Sequence, residues 1–515
     1  MGTTSGGKRF MGRCGGLWRR LDTSAPSGRE LELMLYPLGS LAPDRNPRLN
    51  DETLRVADGV YPSPDGYKPV GQWVQLYTAL PASPKGGASF VSGAGTASIV
   101  AGTATALYRV FSAGFTAIAT GYSIQGDQRW RFAQFGGLAV ATNGADPMQK
   151  INLTDMTVSP LGGSPPKFEA LAVVKGFLVG TVMDGDVLTM AWSGAFNAES
   201  WNFGTGQSDY QTMPTGGRIN GVFGGEFGIV LQRDRIVRMD YTGGNFVFDF
   251  NEVSSNIGCV TVHSVAQWGD LGFFLSDEGF MQWDGAGLVP IGREVIDAEF
   301  RTLYGVSNWQ NMSTAIDPVR GVVIWSIYDP TTPSNSKMYC YDWTLRKMST
   351  IPYASPIIFS GVTKGVSIDE DEPGVTGDDV IDTGGLVTLD DARFRGGDPR
   401  MYVFASDFKL GVLTGTPMAA TFTGNDLEMF PGKRADVRMV RPDIDAVSGV
   451  TVTLAYKQRL GDSASTVATS TLQTSGDMAI RASGRYIRPT IAVAAGTAWT
   501  HAKAIELVGR PGAGR

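Results

Sequence analysis

Groups that do chemistry are scarce in this chain. Its 515 residues include two histidines, His263 and His501, and three cysteines, Cys14, Cys259 and Cys340. The histidines lie far apart, and neither has a neighbouring cluster of acidic or cysteine ligands, so no zinc site and no Ser-His-Asp arrangement is indicated. Both are expected to be structural residues on strand-like stretches. The cysteines are odd in number, widely separated and in no metal-like spacing, which excludes a disulfide scaffold and fits synthesis in a reducing compartment. No Walker A loop occurs, and no Gly-x-Gly-x-x-Gly stands between a strand and a helix. The sequence therefore predicts that the chain is not an enzyme, and it names no catalytic, cofactor-binding or metal-ligating residue.

Long apolar runs are missing too. The uncharged stretch from Gly86 to Tyr108 could span a bilayer by length, but it is full of Gly, Ser and Thr and alternates at Thr103-Ala104-Thr105-Ala106-Leu107. Strands are expected there, and no membrane span. The basic start lacks the apolar core of a signal peptide, and Gly6 stands where a myristoylation motif needs Ser or Thr. Acids outnumber bases, 50 against 44, for a net charge of −6. The molecule as a whole repels phosphate, so a general nucleic-acid binder is excluded and any contact with DNA must be local or transient.

What the chain does have is glycine. Its 67 glycines are nearly twice the usual share and, with 42% apolar residues, describe short strands joined by many tight turns. The length implies two to four domains. The most informative pattern lies in the middle of the chain: a Gly, three to five apolar residues, a polar turn, then a second apolar run landing on an aromatic or Asp. Gly136-Gly137-Leu138-Ala139-Val140 shows the opening half. Full units run from Gly176 to Trp192, from Gly228 to Tyr241, from Gly272 to Trp283 and from Gly321 to Trp343. Each reads as an antiparallel pair of strands, recurring at roughly forty to fifty residues, the period of a propeller blade. The competing reading is a set of unrelated hairpins in β-sandwiches. Ser276-Asp277-Glu278-Gly279-Phe280-Met281-Gln282-Trp283 loosely resembles the Asp-box hairpin of sialidase propellers. Its Ser to Asp spacing is one short and its Gly to Trp spacing one long, so it is expected to be a blade turn and not a mark of glycosidase chemistry.

The flanks differ from this repeat. Residues 1–40 are Gly-rich and basic and are expected to form an extended arm that orders against a neighbour, with Arg9, Arg13, Arg19 and Arg20 as partner contacts. A propeller-like domain is expected over 41–365. An acidic loop insertion follows over 366–400, with Asp369, Glu370, Asp371, Glu372, Asp378 and Asp379 as a candidate channel or gate loop. Read as an EF-hand, it places Pro373 and Val380 where ligands belong, which counts against calcium. Residues 401–508 alternate apolar and polar side chains and predict a C-terminal β-sandwich-like domain. The basic tail, 509–515, offers Arg510 and Arg515 as further partner contacts. The predicted class is all-β: an irregular β-propeller with an additional C-terminal β-sandwich-like domain.

Several phrases carry a resemblance. They are Pro43-Asp44-Arg45-Asn46-Pro47, Asp58-Gly59-Val60-Tyr61-Pro62, Gly66-Tyr67-Lys68-Pro69, Trp130-Arg131-Phe132-Ala133-Gln134-Phe135-Gly136, Phe430-Pro431-Gly432-Lys433-Arg434, Gly484-Arg485-Tyr486-Ile487-Arg488 and Trp499-Thr500-His501-Ala502. In this order they resemble the tail hub or nozzle proteins of short-tailed bacteriophages, including the packaged-DNA stabilisation proteins. The resemblance implies a homo-hexameric ring below the portal and the head-to-tail adaptor protein, contacts with tail fibre, spike or needle proteins, and transient passage of double-stranded DNA. It also implies a location in the virion tail after assembly in the bacterial cytoplasm. It supplies no cofactor and no catalytic residue. The alternative function is a carbohydrate-binding or carbohydrate-cleaving propeller that recognises a host receptor, and a third is a generic interaction scaffold.

Overall fold

Strands whose faces are both covered read as unbroken apolar runs, and this chain folds them into blades. The computed structural model describes residues 18–20, 31–46, 51–111, 114–244, 246–329, 331–332, 335–363, 397–462 and 466–512. Six separate four-stranded antiparallel sheets occur, and the first four strands of a nine-stranded sheet make a seventh. Blade 1 opens with Gly86–Val91, blade 2 with Arg131–Phe135, blade 3 with Ala170–Val174 and blade 4 with Ile219–Phe223. Blade 5 opens with Ala266–Trp268, blade 6 with Met312–Asp317 and blade 7 with Ile358–Val362. These seven opening strands line one shared cavity, so they are the inner strands around a common axis. The architecture is an all-β propeller, in which radial repetition leaves few exposed sheet edges.

The first glycine-led segment leads into the second strand of blade 2, and the four full units are the second and third strands of blades 3 to 6. Phe177–Met183 pairs with Asp186–Trp192, Gly228–Gln232 with Ile236–Tyr241, Leu271–Ser276 with Gly279–Trp283, and Val322–Ile327 with Lys337–Asp342. Gly228–Gln232 and Val322–Ile327 are buried at every position because a blade covers each face. Glycine is needed where blades approach most closely. A Cβ on Gly102 would lie 2.1 Å from the Trp130 indole, which is pinned by its Nε1 donating to the Thr103 carbonyl at 2.9 Å.

The last blade is closed by the chain's early part. Ile358–Val362, Pro399–Phe404 and Lys409–Pro417 form its first three strands, and Gly71–Ala79 supplies the fourth. The propeller therefore spans 71–417, interrupted by the acidic stretch, and does not end at 365 as the sequence suggested. The third strand of blade 7 lies beyond the expected boundary because only ring closure, invisible in local pattern, assigns it.

The sandwich begins at Ala420–Thr423 and uses both ends of the chain. One sheet holds Glu32–Pro37, Ala502–Pro511, Ala435–Ile444 and Met478–Gly484 side by side, with Trp18–Arg20 on its edge. The other runs Ala420–Thr423, Tyr486–Val493, Val450–Lys457 and Thr466–Thr471. Tyr486–Val493 alternates strictly between half-buried and buried positions, the period of a strand with one covered face. Two expectations are corrected here. The described parts of the N-terminal arm pair within their own chain, and Gly509 to Pro511 belong to a central strand instead of a free tail.

Propeller and sandwich share a sheet and a core. The outer strand of blade 6, Lys347–Ile351, pairs in parallel with Val56–Asp58, which pairs in turn with Ala420–Thr423. A single apolar cluster runs from Phe273 and Trp325 in the blades to Phe422 and Ile505 in the sandwich. The short helix Asp297–Leu303 adds Phe300, edge-to-face with Phe280 at 4.9 Å between ring centres, and Asp44 caps its first turn by accepting from the Ala298 and Glu299 amides at 2.6 and 2.8 Å. The Asp44 phrase thus has a structural task.

Buried Asp297 accepts from the Phe280 amide at 3.1 Å, and desolvation raises its carboxyl from 3.8 to about 6. A raised folded value means stability is fully present below about 4 and is lost as pH rises through about 6. Asp297→Asn keeps the acceptor and removes the charge. It is expected to stabilise the protein by roughly 1–2 kcal/mol at pH 7.5 and by nothing measurable at pH 4, read from denaturant midpoints. Gly102→Ala is expected to destabilise by about 1–3 kcal/mol, because the pinned indole cannot retreat.

Candidate functional site

Small residues face the propeller axis. Gly87, Ala88, Ala133, Ala172, Gly221 and Ala266 lie on inner strands and leave a cavity of about 790 Å³. Inner strands of neighbouring blades mostly diverge too far for a continuous backbone ladder, and side chains join many of them. The Gln134 amide of blade 2 donates to the Val91 carbonyl of blade 1 at 2.8 Å and accepts from its amide at 3.4 Å. Gln267 of blade 5 does the same to Gly224 of blade 4, at 2.6 and 2.9 Å. Ser360 of blade 7 accepts from the Ile316 amide of blade 6 at 2.7 Å and donates to its carbonyl at 2.8 Å. Ser89 closes the ring by accepting from Val362 at 2.7 Å.

One mouth of the channel is basic. It lies where the inner strands begin and opens into an adjoining cavity of about 710 Å³ that shares Arg129, Arg131, Val262 and His263 with the channel. The Arg129 guanidinium reaches from the start of blade 2 to blade 6, donating to the carbonyls of Met312 at 2.6 Å and Gln310 at 3.0 Å. Arg131 reaches from blade 2 to blade 5, donating from Nη2 to the Val262 carbonyl at 3.1 Å and to His263 Nδ1 at 2.7 Å. Blades 5 and 6 do not adjoin blade 2, so both side chains are struts across the mouth. The opening there is no wider than an arginine can reach, which excludes threading of a DNA duplex along the propeller axis.

The struts lack close ion pairs, and the carboxylates of Asp127, acting on Arg129 and Lys85, and of Glu169, acting on Arg131, offset their charge only from farther away. Among the described residues no carboxylate lies within ion-pair distance of Arg129, Arg131 or Lys85, whereas nearby Arg218 is paired with Glu169 and Arg233 with Asp277. Burial lowers the Arg129 guanidinium from 12.5 to about 9, helped by the charge of Arg131, and burial lowers Arg131 to about 10. Lys85 donates to the Gly126 carbonyl at 2.7 Å and is lowered by burial and then by Arg129. His263 is held well below its ordinary 6.5 by burial, then by Arg129 and Arg131. Its neutral ring accepts at Nδ1 from Arg131, so the proton resides on Nε2. The chemistry available is therefore attraction of negative charge.

The residues singled out from sequence fall elsewhere. Asp369, Glu370, Asp371, Glu372, Asp378, Asp379, Arg9, Arg13, Arg515 and Cys14 lie outside the described residues. Arg19 and Arg20 sit on the edge strand Trp18–Arg20. Arg510 lies opposite Asp436, its Nε 3.9 Å from that carboxylate. Cys259 and Cys340 are buried thiols raised by desolvation, Cys259 to about 11. Ser276 and Gly279 form the expected blade turn, with Ser276 Oγ donating to the Gly279 carbonyl at 3.0 Å. His501 lies beside Asp445, 3.5 Å from its carboxylate. His263, expected on a strand, lies instead in a short 3₁₀ turn, Val262–Ser264, at the channel. Lys85, Arg129 and the role of His263 were missed. The one sequence signal was a pair of arginines flanking Trp130 at the start of a strand.

No family model matches the chain, and no curated protein matches it. Among solved structures it is similar to the extracellular domain of a protein described as a hybrid two-component system of B. thetaiotaomicron, at 10% identity and TM-score 0.41. That match covers 76% of this chain, which spans 48% of the neighbour. It is also similar to the WD40 repeats of RRP9, at 11% identity and TM-score 0.36, covering 59% of this chain and 95% of that one. A chain of the mitotic checkpoint complex matches at 9% identity and TM-score 0.39, covering 69% and 96%.

His263 makes the mouth acid-sensitive. Its folded value is depressed, so its share of stability is fully present above about 6.5 and is lost as pH falls below it, where the unfolded chain takes the proton first. Arg129, Arg131 and Lys85 face the ring and oppose protonation, and only the Asp127 backbone favours it. Relative to His263→Asn, which can still accept from Arg131 and carries the same Asp297 contribution, the thermal midpoint of the native protein is expected to fall between pH 7 and pH 5.5.

Proposed function

We propose that the chain is a structural component of a bacteriophage tail, a nozzle or hub subunit below the portal and adaptor whose ring encloses a channel that retains and conducts the genome. The observation that carries this reading is the sheet that continues from blade 6 into the sandwich, with a common core. Such a junction makes one stiff block, which suits a subunit that bears load between neighbours. The phrases quoted above are the second support, and the Asp44 cap and the buried Tyr67, whose hydroxyl donates to the Gly39 carbonyl at 2.8 Å, give two of them structural tasks at this junction.

Because arginines cross the propeller mouth, this reading has any genome conduit run between subunits and not through a propeller. A groove of about 620 Å³ at the outer strands of blades 3 and 4 carries Met213, Pro214, Phe248 and Phe250 beside Phe246, which is 84% exposed. Apolar surface of this kind suits contact with a neighbouring copy. The competing reading, a carbohydrate-binding or carbohydrate-cleaving propeller, draws on the basic mouth, which favours holding an acidic group over cleaving a glycosidic bond with paired carboxylates.

Mass photometry of the purified chain with its head-to-tail adaptor is expected to give a ring of six copies, and antibody labelling is expected to mark the tails of particles. A chain that stays monomeric with the adaptor and is absent from particles would overturn the reading. Glycan-array binding or sugar release by such a monomer would favour the competitor.

A further inference from the structure

The strut geometry leaves a question that neither reading answers, namely why two guanidiniums and an ammonium lie near one another without a carboxylate in ion-pair contact. Arginines serving only as struts are ordinarily neutralised, as Arg218 and Arg233 are a short distance away. Arg129 and Arg131 instead spend two hydrogen bonds each on carbonyls and an imidazole, which leave the positive charge in place. A guanidinium has five donors, so each retains N–H groups beyond those used. Both side chains line the open cavity.

We infer that the basic mouth of the propeller channel is a binding site for a small-molecule oxyanion, a phosphate or carboxylate group held by Arg129 and Arg131. The cavity volume falls in the range of small-ligand sites, roughly 300–1,000 Å³. Fork-shaped guanidiniums suit planar carboxylates and phosphates. The neutral His263 adds an Nε2 donor on the same side, and the small residues below the struts leave room for the uncharged part of the ligand. Asp127 also borders the adjoining cavity and partly offsets Arg129 and Lys85 from beyond ion-pair distance, whereas Glu169, Arg218 and Arg233 border it as closed ion pairs and add little net charge. Bound anion would relieve the repulsion that keeps His263 neutral, so occupancy and protonation of this histidine are coupled. The site is independent of the tail reading and would stand if that reading failed.

With only two histidines in the chain, ¹⁵N-histidine labelling gives two ring signals, and His501→Asn assigns them. Full-length protein would be titrated with inorganic phosphate, glucuronate, glucose and a short DNA duplex, at ionic strength fixed with sodium chloride. Saturable movement of the His263 signal is expected with phosphate or glucuronate, none with glucose, and a His263 midpoint shifted toward 6.5. Arg131→Gln is expected to weaken binding at least roughly tenfold, Arg131→Lys less, and Lys85→Gln, which leaves both struts in place, by a measurable fraction. Phosphate alone moving the signal assigns the site to phosphate, and glucuronate alone assigns it to carboxylates. A signal unmoved by either anion at tens of millimolar, equal movement with chloride, movement only with duplex, or unchanged affinity in a folded Arg129→Gln, Arg131→Gln double variant would overturn the inference.

Discussion

Everything in this molecule depends on one pairing across the length of the chain, Gly71–Ala79 against Lys409–Pro417 in blade 7. Until that pairing forms, the first and seventh blades each present an uncovered face and the ring is an open sheet stack. Contacts of such high sequence separation carry a large loop-closure entropy, so closure is expected late in folding. It also dictates where the ends go. The segments flanking the closing strands, Val56–Asp58 before and Ala420–Thr423 after, emerge together and pair directly, extending blade 6 into the sandwich. The sandwich thus acts as a clasp on the ring, with Glu32–Pro37 and Ala502–Pro511 antiparallel within it.

A closed ring forces the second feature, the channel. Inner strands around a common axis splay, and unsatisfied amides facing a cavity are costly, so Gln134, Gln267, Ser360 and Ser89 supply the missing partners. Small side chains then leave the axis hollow. The same curvature brings blade 2 within an arginine's length of blades 5 and 6, and the struts formed there concentrate positive charge at one mouth of a protein whose net charge is −6. Net charge governs long-range behaviour toward a polyanion, whereas the half-buried mouth, poorly screened by solvent, governs what enters the cavity.

The chain's own pattern determined the blades whose second and third strands are buried on both faces, because such strands must be apolar throughout and their turns need glycine. It also determined the sandwich strands, whose alternation follows from one covered face, as in Tyr486–Val493. Blade 7 and the limits of the sandwich were decided only by the tertiary structure, since a strand borrowed from a distant part of the chain carries no local mark of its partner. The basic mouth was decided the same way. Lys85, Arg129 and His263 are ordinary residues where they stand in sequence, and only closure of the ring gathers them at one opening with no carboxylate in ion-pair contact with either cation.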